Sequence, residues 1–145
     1  MSDRALRQVA AALSVLGLAV AGYLAYVHYA ELSPICAGGG SGCERVQNSS
    51  YAEFAGVPVA VLGLAGYALI LGSLWIPGET GRVAGAVLAL AGFGFSAYLT
   101  WLELFEIDAI CQWCVVSAVL MTGLAGVTVL RILRPGGDAR RQAAV

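Results

Sequence analysis

Four long apolar stretches divide the chain, at residues 9–29, 57–76, 83–102 and 111–130. Each is close to the ~20 residues that a membrane-spanning helix needs. Polar residues collect between them: a glycine- and serine-rich segment at 31–56, a short link at 76–82, and an acidic group of Glu103, Glu106 and Asp108. A polar tail closes the chain at 131–145. The pattern predicts an all-α fold, a four-helix transmembrane bundle forming a single membrane domain over residues 1–145. The first stretch carries features of a signal peptide, with Arg4 and Arg7 ahead of it and Ala19-Val20-Ala21 resembling a cleavage site. Its apolar run exceeds the ~7–15 residues of such a segment. It also continues through Tyr23, Tyr26 and Tyr29 as an interfacial belt would, so it reads as a retained span.

Composition supports lipid as the solvent. Hydrophobic residues make up 59% of the chain and charged residues 12%, against about a quarter charged in soluble domains. Lysine is absent and no basic run suits nucleic acid, so no nucleic-acid partner is expected. Glycines recur within the apolar stretches, including Gly17, Gly63, Gly66, Gly92 and Gly123, and allow close helix packing in a bilayer.

Arginine placement predicts the orientation. Arg4 and Arg7 precede the first stretch, Arg82 lies in the 76–82 link, and Arg131, Arg134, Arg140 and Arg141 follow the fourth. The other two connections hold only Arg45. The positive-inside rule then places both termini and the 76–82 link in the cytoplasm of a cell inner (plasma) membrane protein. The 31–56 loop and the segment before Cys111 lie outside. In the loop, residues 44–54 mix polar and aromatic side chains and read as a short surface helix, with Gly56 and Pro58 marking the turn into the second span.

This topology bears on the four cysteines, which occur as two pairs on the same outer face: Cys36 with Cys43, and Cys111 with Cys114. That is the compartment where disulfides persist in bacteria. Cys111-Gln112-Trp113-Cys114 opens the last apolar stretch. Two sulfurs three residues apart on a first helical turn share one side, where free N–H groups and the macrodipole favour a thiolate. The six residues between Cys36 and Cys43 are Ala-Gly-Gly-Gly-Ser-Gly, flexible enough to close a disulfide and to let Cys43 move when it opens. Two dithiols on one face suggest a relay by thiol–disulfide exchange. An acceptor at the mouth of an apolar bundle would be a lipid-soluble quinone, with Cys114 pointing deeper than Cys111. Two bland alternatives stand beside this reading: static disulfides stapling a non-enzymatic membrane protein, and a four-cysteine zinc site. An oxidising compartment disfavours zinc thiolates, so no metal is expected.

The chain also resembles the vitamin K epoxide reductase family, in its bacterial quinone-linked branch. The resemblance rests on Cys36 and Cys43 with their spacer, Ser49, Tyr51-Ala52, Gly56-Val57-Pro58, Gly63 with Tyr67, and Cys111-x-x-Cys114. It implies that Cys111 and Cys114 are the active-site pair and that Cys36 and Cys43 shuttle electrons to it. Cys36 would exchange with a separate secreted or periplasmic thioredoxin-fold dithiol oxidase, and Cys43 would attack Cys111. Cys114 would reduce the quinone, menaquinone or ubiquinone, beside Val59, Leu62 and Ala118. Ser49 matches a family serine near the active site, a chemical role that stands against simple helix capping. Members that reduce vitamin K epoxide carry an asparagine and a tyrosine where this chain has Val59 and Ala118. The resemblance therefore implies reduction of a plain quinone, with epoxide reduction as the rival. His28 and the tryptophans Trp75, Trp101 and Trp113 read as interfacial side chains.

Overall fold

The computed structural model describes residues 3–30, 53–54, 56–107 and 111–134, so Cys36, Cys43 and Ser49 lie outside the described residues. Four helices make up almost all of the described chain: α1 (Asp3–Tyr29), α2 (Val59–Ser73), α3 (Gly78–Leu102) and α4 (Gln112–Leu133). Consecutive helices pack side by side and α4 returns to α1, closing a ring in the order α1, α2, α3, α4. α1, α4 and the stretch from Gly78 to Glu106 are long and apolar enough to cross a membrane. The all-α bundle expected from the hydropathy pattern is the fold observed.

Its details depart from that pattern where polar residues meet helix ends. α1 starts at Asp3 rather than near residue 9, and its acidic first turn suits the positive end of the macrodipole. α2 has 15 residues, about 22 Å of helix against a hydrocarbon core of ~30 Å. Its limits are set by two prolines, Pro58 and Pro77. Pro58 stands at the N-cap. At the other end Leu74, Trp75 and Ile76 bond back three residues, tightening the chain before Pro77 ends it.

α3 then begins at Gly78, so Arg82 lies inside a helix and is buried, contrary to the expectation of a linking segment. Arg131 is likewise buried in the last turn of α4 rather than in a tail. Both arginines reach Asp3: Arg131 Nε is 3.2 Å and Arg82 Nη2 3.5 Å from Oδ1. One carboxylate thus ties the start of α1 to the start of α3 and the end of α4.

Glu53–Phe54, expected at the end of a surface helix, is extended instead. It pairs antiparallel with Val57–Pro58 around Gly56, whose φ of +83° suits a residue without a Cβ. The core is built from Ala10, Ala21, Tyr67, Ile70, Leu74, Ala89, Met121, Leu124 and Ala125. Small residues let the helices approach. At Gly17 an added Cβ would run into the ring of Tyr67, so the fully buried tyrosine lies flat against bare α1 backbone. The hydroxyls of Thr100, Thr122 and Thr128 bond back to their own helices, as Thr128 Oγ1 does to Leu124 O at 2.7 Å.

Candidate active site

At the end of the bundle remote from Asp3, the apolar run of α3 passes into a π-helical turn, Glu103–Ile107. Glu103 opens this turn with helical backbone and its N–H still bonded to Leu99 O, so it stays on the inward face of α3 with only 5% of its surface exposed, while Glu106 on the same turn is exposed. The acidic group of Glu103, Glu106 and Asp108 is therefore split, and Glu103 belongs to the interior. Its Oε2 accepts a hydrogen bond from the Cys111 backbone N–H at 3.2 Å.

Cys111 is the N-cap of α4, with extended backbone and a side chain that accepts from the Cys114 N–H at 3.4 Å. Sulfur here takes the place usually held by a capping oxygen and satisfies one of the free N–H groups of the first turn. Cys111 is fully buried, Cys114 half-buried, and the two are free thiols. The side-chain hydrogen bond from Cys114 has the largest influence on the Cys111 thiol and holds it below the ordinary thiol range. Burial and the nearby Glu103 carboxylate act in the opposite direction and are outweighed. Trp113, between the two cysteines, packs on Tyr23 of α1 with ring centroids 5.0 Å apart, fixing this turn to the bundle.

Beside the pair lies a cavity of about 330 Å³, at the lower end of the ~300–1,000 Å³ of small-molecule pockets. Cys114, Val59, Leu62 and Ala118 all line it, so the structure brings together all four positions that the sequence associated with a quinone. Cys111 is not among its lining residues. Its walls are otherwise mainly small or apolar, among them Gly63, Gly66, Leu88, Gly92 and Phe95. Five polar side chains line it besides Cys114: Ser96 and Thr100 of α3, the latter bonded back to Ser96 O, and three others. Glu103 is one. The other two are Tyr67 and Ser117, joined by hydrogen bonds from the Tyr67 hydroxyl to Ser117 O at 2.8 Å and with Ser117 Oγ at 2.9 Å.

Sequence reasoning quoted Tyr67 only as part of a motif and passed over Ser117 and the inward place of Glu103. Ser117 follows Cys114 by three residues and so shares its helical face, a signal that was available. His28 lies at the end of α1, edge-on to Tyr29 at 5.6 Å, and is not a lining residue, in keeping with its reading as interfacial. Trp75 and Trp101 are exposed. Among the described residues no group of three or more His, Cys, Asp or Glu side chains could hold a metal ion.

Comparison with known families gives a match to the vitamin K epoxide reductase family over residues 8–129, which includes α2 and α3 whole and most of α1 and α4. The chain belongs to the vitamin K epoxide reductase family. As a member, it is a membrane oxidoreductase of a family whose redox chemistry is generally linked to disulfides and quinones. The match covers the dithiol turn and every residue lining the cavity, so the site described above lies within the matched region.

Proposed function

We propose that the protein oxidises a secreted thioredoxin-fold dithiol oxidase through two cysteine pairs and passes the electrons to a membrane quinone, so supporting disulfide formation outside the cytoplasm. The observation that carries this reading is the position of Cys114, whose neighbour Cys111 is buried behind it while Cys114 itself faces an apolar cavity.

The cavity suits a flat, lipid-soluble ring. Gly63, Gly66 and Gly92 leave its walls bare, and Tyr67, Ser117 and Glu103 offer hydrogen-bonding groups in a mainly apolar lining. Leu62 and Ala91, on the facing helices α2 and α3, are both lining and exposed, which supports entry from the bilayer. A quinone bound there would supply a two-electron, two-proton acceptor, with Val59, Leu62 and Tyr67 of α2 and Ser117 and Ala118 of α4 as the residues that would hold its ring. Val59 and Ala118 offer no hydrogen bond to an epoxide oxygen, which favours a plain quinone, menaquinone or ubiquinone, over vitamin K epoxide.

The burial of Cys111 bears on how electrons arrive. A folded partner cannot reach a fully buried sulfur, whereas a pair on this chain's own glycine-rich loop can be delivered to it. In this scheme Cys36 exchanges with the partner and Cys43, as thiolate, attacks Cys111 of the oxidised Cys111–Cys114 pair. The mixed Cys43–Cys111 disulfide is resolved by Cys36, leaving the loop oxidised and Cys111 and Cys114 reduced. Ser49 is proposed to act near this exchange. The positive-inside arrangement of Arg4, Arg7 and Arg134 supports cytoplasmic termini and outward-facing cysteines.

The test is steady-state quinol formation by purified protein supplied with a reduced thioredoxin-fold protein, in wild type and in each cysteine-to-alanine variant. The reading expects all four variants to lose partner-driven turnover, and Cys36→Ala to accumulate a Cys43–Cys111 disulfide. Undiminished turnover without Cys36 and Cys43 would contradict the relay.

A further inference from the structure

Cys114 carries a single thiol proton and has two acceptors within hydrogen-bonding reach, the Cys111 sulfur and the Glu103 carboxylate. When the Cys111–Cys114 bond forms, the Cys111 sulfur is consumed as an acceptor. The carboxylate remains. Glu103 is held in place by the Cys111 N–H at 3.2 Å, is nearly removed from solvent, and lines the cavity into which Cys114 faces. The other titratable groups around it are Cys111 from the start of α4, Tyr67 across the cavity on α2, and Glu106 on its own turn, exposed to solvent. Glu103 continues the helical face of α3 on which Leu99 and Thr100 also line the cavity, and that register gives the carboxylate its inward position; the π-helical turn that it opens is of a kind frequent at functional sites.

We infer that Glu103 is a catalytic base, taking the Cys114 proton as the disulfide closes and returning it on the cavity side. The inference rests on the proposed redox reading and assigns it a proton path. The balance is that of a dithiol oxidation. Two S–H bonds are broken and one S–S bond is made, while two electrons and two protons pass to the acceptor, a quinone becoming a quinol. Glu103 takes up one of these protons and gives it up again, ending as the carboxylate it began as. The hydrogen bond from the Cys111 N–H keeps the carboxylate aimed at the pair throughout.

The test uses closure of the Cys111–Cys114 disulfide by diamide, with no quinone present, in the full-length protein reduced beforehand. Diamide takes the two electrons and two protons and becomes the hydrazine, so the Cys114 proton must leave in this reaction as well. Glu103→Gln keeps an oxygen to accept the Cys111 N–H bond and removes the base. Closure in Glu103→Gln is expected to slow by about 100-fold at neutral pH. The deficit should shrink as pH rises and hydroxide takes over the proton. Glu103→Asp, which retains a base at shorter reach, should recover about a tenth of the wild-type rate with the same pH trend. A Glu103→Gln rate within about threefold of wild type, or a deficit equal at all pH values, overturns the assignment. If Glu103→Gln does not fold, Glu103→Asp decides: a wild-type rate or a pH-independent deficit overturns it equally. A parallel arm with wild type and added quinone separates the two ideas. Absence of quinol there contradicts the proposed function, whereas normal diamide closure in Glu103→Gln strikes only the role of Glu103.

Discussion

The two ends of the bundle bury charged or ionisable groups in opposite ways. At one end Asp3 stands between Arg82 and Arg131, both arginines less than a tenth exposed, and opposite charges meet at 3.2 and 3.5 Å. At the other, Glu103 meets two thiols and a backbone N–H, with no cation paired to it among the described residues. Paired charge is a static device, costly to bury and costlier to break. An acid facing groups that themselves exchange protons is poised for change. The contrast separates an end that holds helices together from an end that does chemistry, and each can be disturbed without the other.

The largest expected effect is at the reactive end. Cys114→Ala should lower quinol formation by about 10³-fold or more, with the helix content and thermal unfolding of the protein little altered. Near-wild-type turnover in that variant would place the reaction elsewhere. At the static end, Asp3→Asn leaves two buried guanidinium groups without their anion. Because Asp3 is itself partly exposed, the loss of stability should be about 2–3 kcal/mol, toward the lower side for a broken buried pair. Denaturant unfolding in detergent measures it, and quinol formation at a temperature where the variant is folded should stay within about threefold of wild type. Equal damage to both readouts would break the separation of the two ends.

Between them lies Tyr67, seated against Gly17 and bonded to Ser117. Gly17→Ala inserts a methyl group where the ring sits, and should cost about 1–3 kcal/mol of stability by overpacking. It should also weaken quinone binding by displacing a cavity-lining side chain, seen as a raised KM with kcat less affected. The smallest effect concerns pH. The Cys111 thiol lies below its ordinary range chiefly through the hydrogen bond from Cys114. In the reduced protein, alkylation of Cys111 by a small reagent should therefore reach its plateau at a lower pH than for a free cysteine. Removing the hydrogen bond in Cys114→Ala should shift that profile upward, because the thiolate then loses its main stabilising contact. An unmoved profile would assign the lowering to another cause.

Much of this molecule could be read before any coordinates. The apolar stretches are long enough to announce the spans, and helical spacing explains why the quinone-associated positions converge. Val59 and Leu62 are three apart on α2, Cys114 and Ala118 four apart on α4, so each pair presents one face. The helix-start position of Cys111 was equally legible. What sequence could not show depends on distant partners or on how far a helix runs past its apolar stretch. Arg82 and Arg131 look like ordinary flanking charges until Asp3, far away in the chain, is brought to them by the fold. Glu103 looks like its neighbours Glu106 and Asp108 until α3 is seen to continue through it on the face of Leu99 and Thr100. The shortness of α2 was marked by Pro58 and Pro77, but Leu74, Trp75 and Ile76 extend the apolar run past the point where the helix stops.

The central claim is that the Cys111–Cys114 dithiol itself gives up electrons to a quinone in the neighbouring cavity. A single anaerobic turnover tests it: fully reduced Cys36→Ala/Cys43→Ala protein is mixed with excess quinone, and quinol and the Cys111–Cys114 disulfide are quantified together. The account predicts one quinol for each disulfide formed, with the loop cysteines dispensable for this step and both products lost in the added Cys114→Ala variant. Quinol that forms without the disulfide, or a dithiol that stays reduced beside excess quinone, would contradict it.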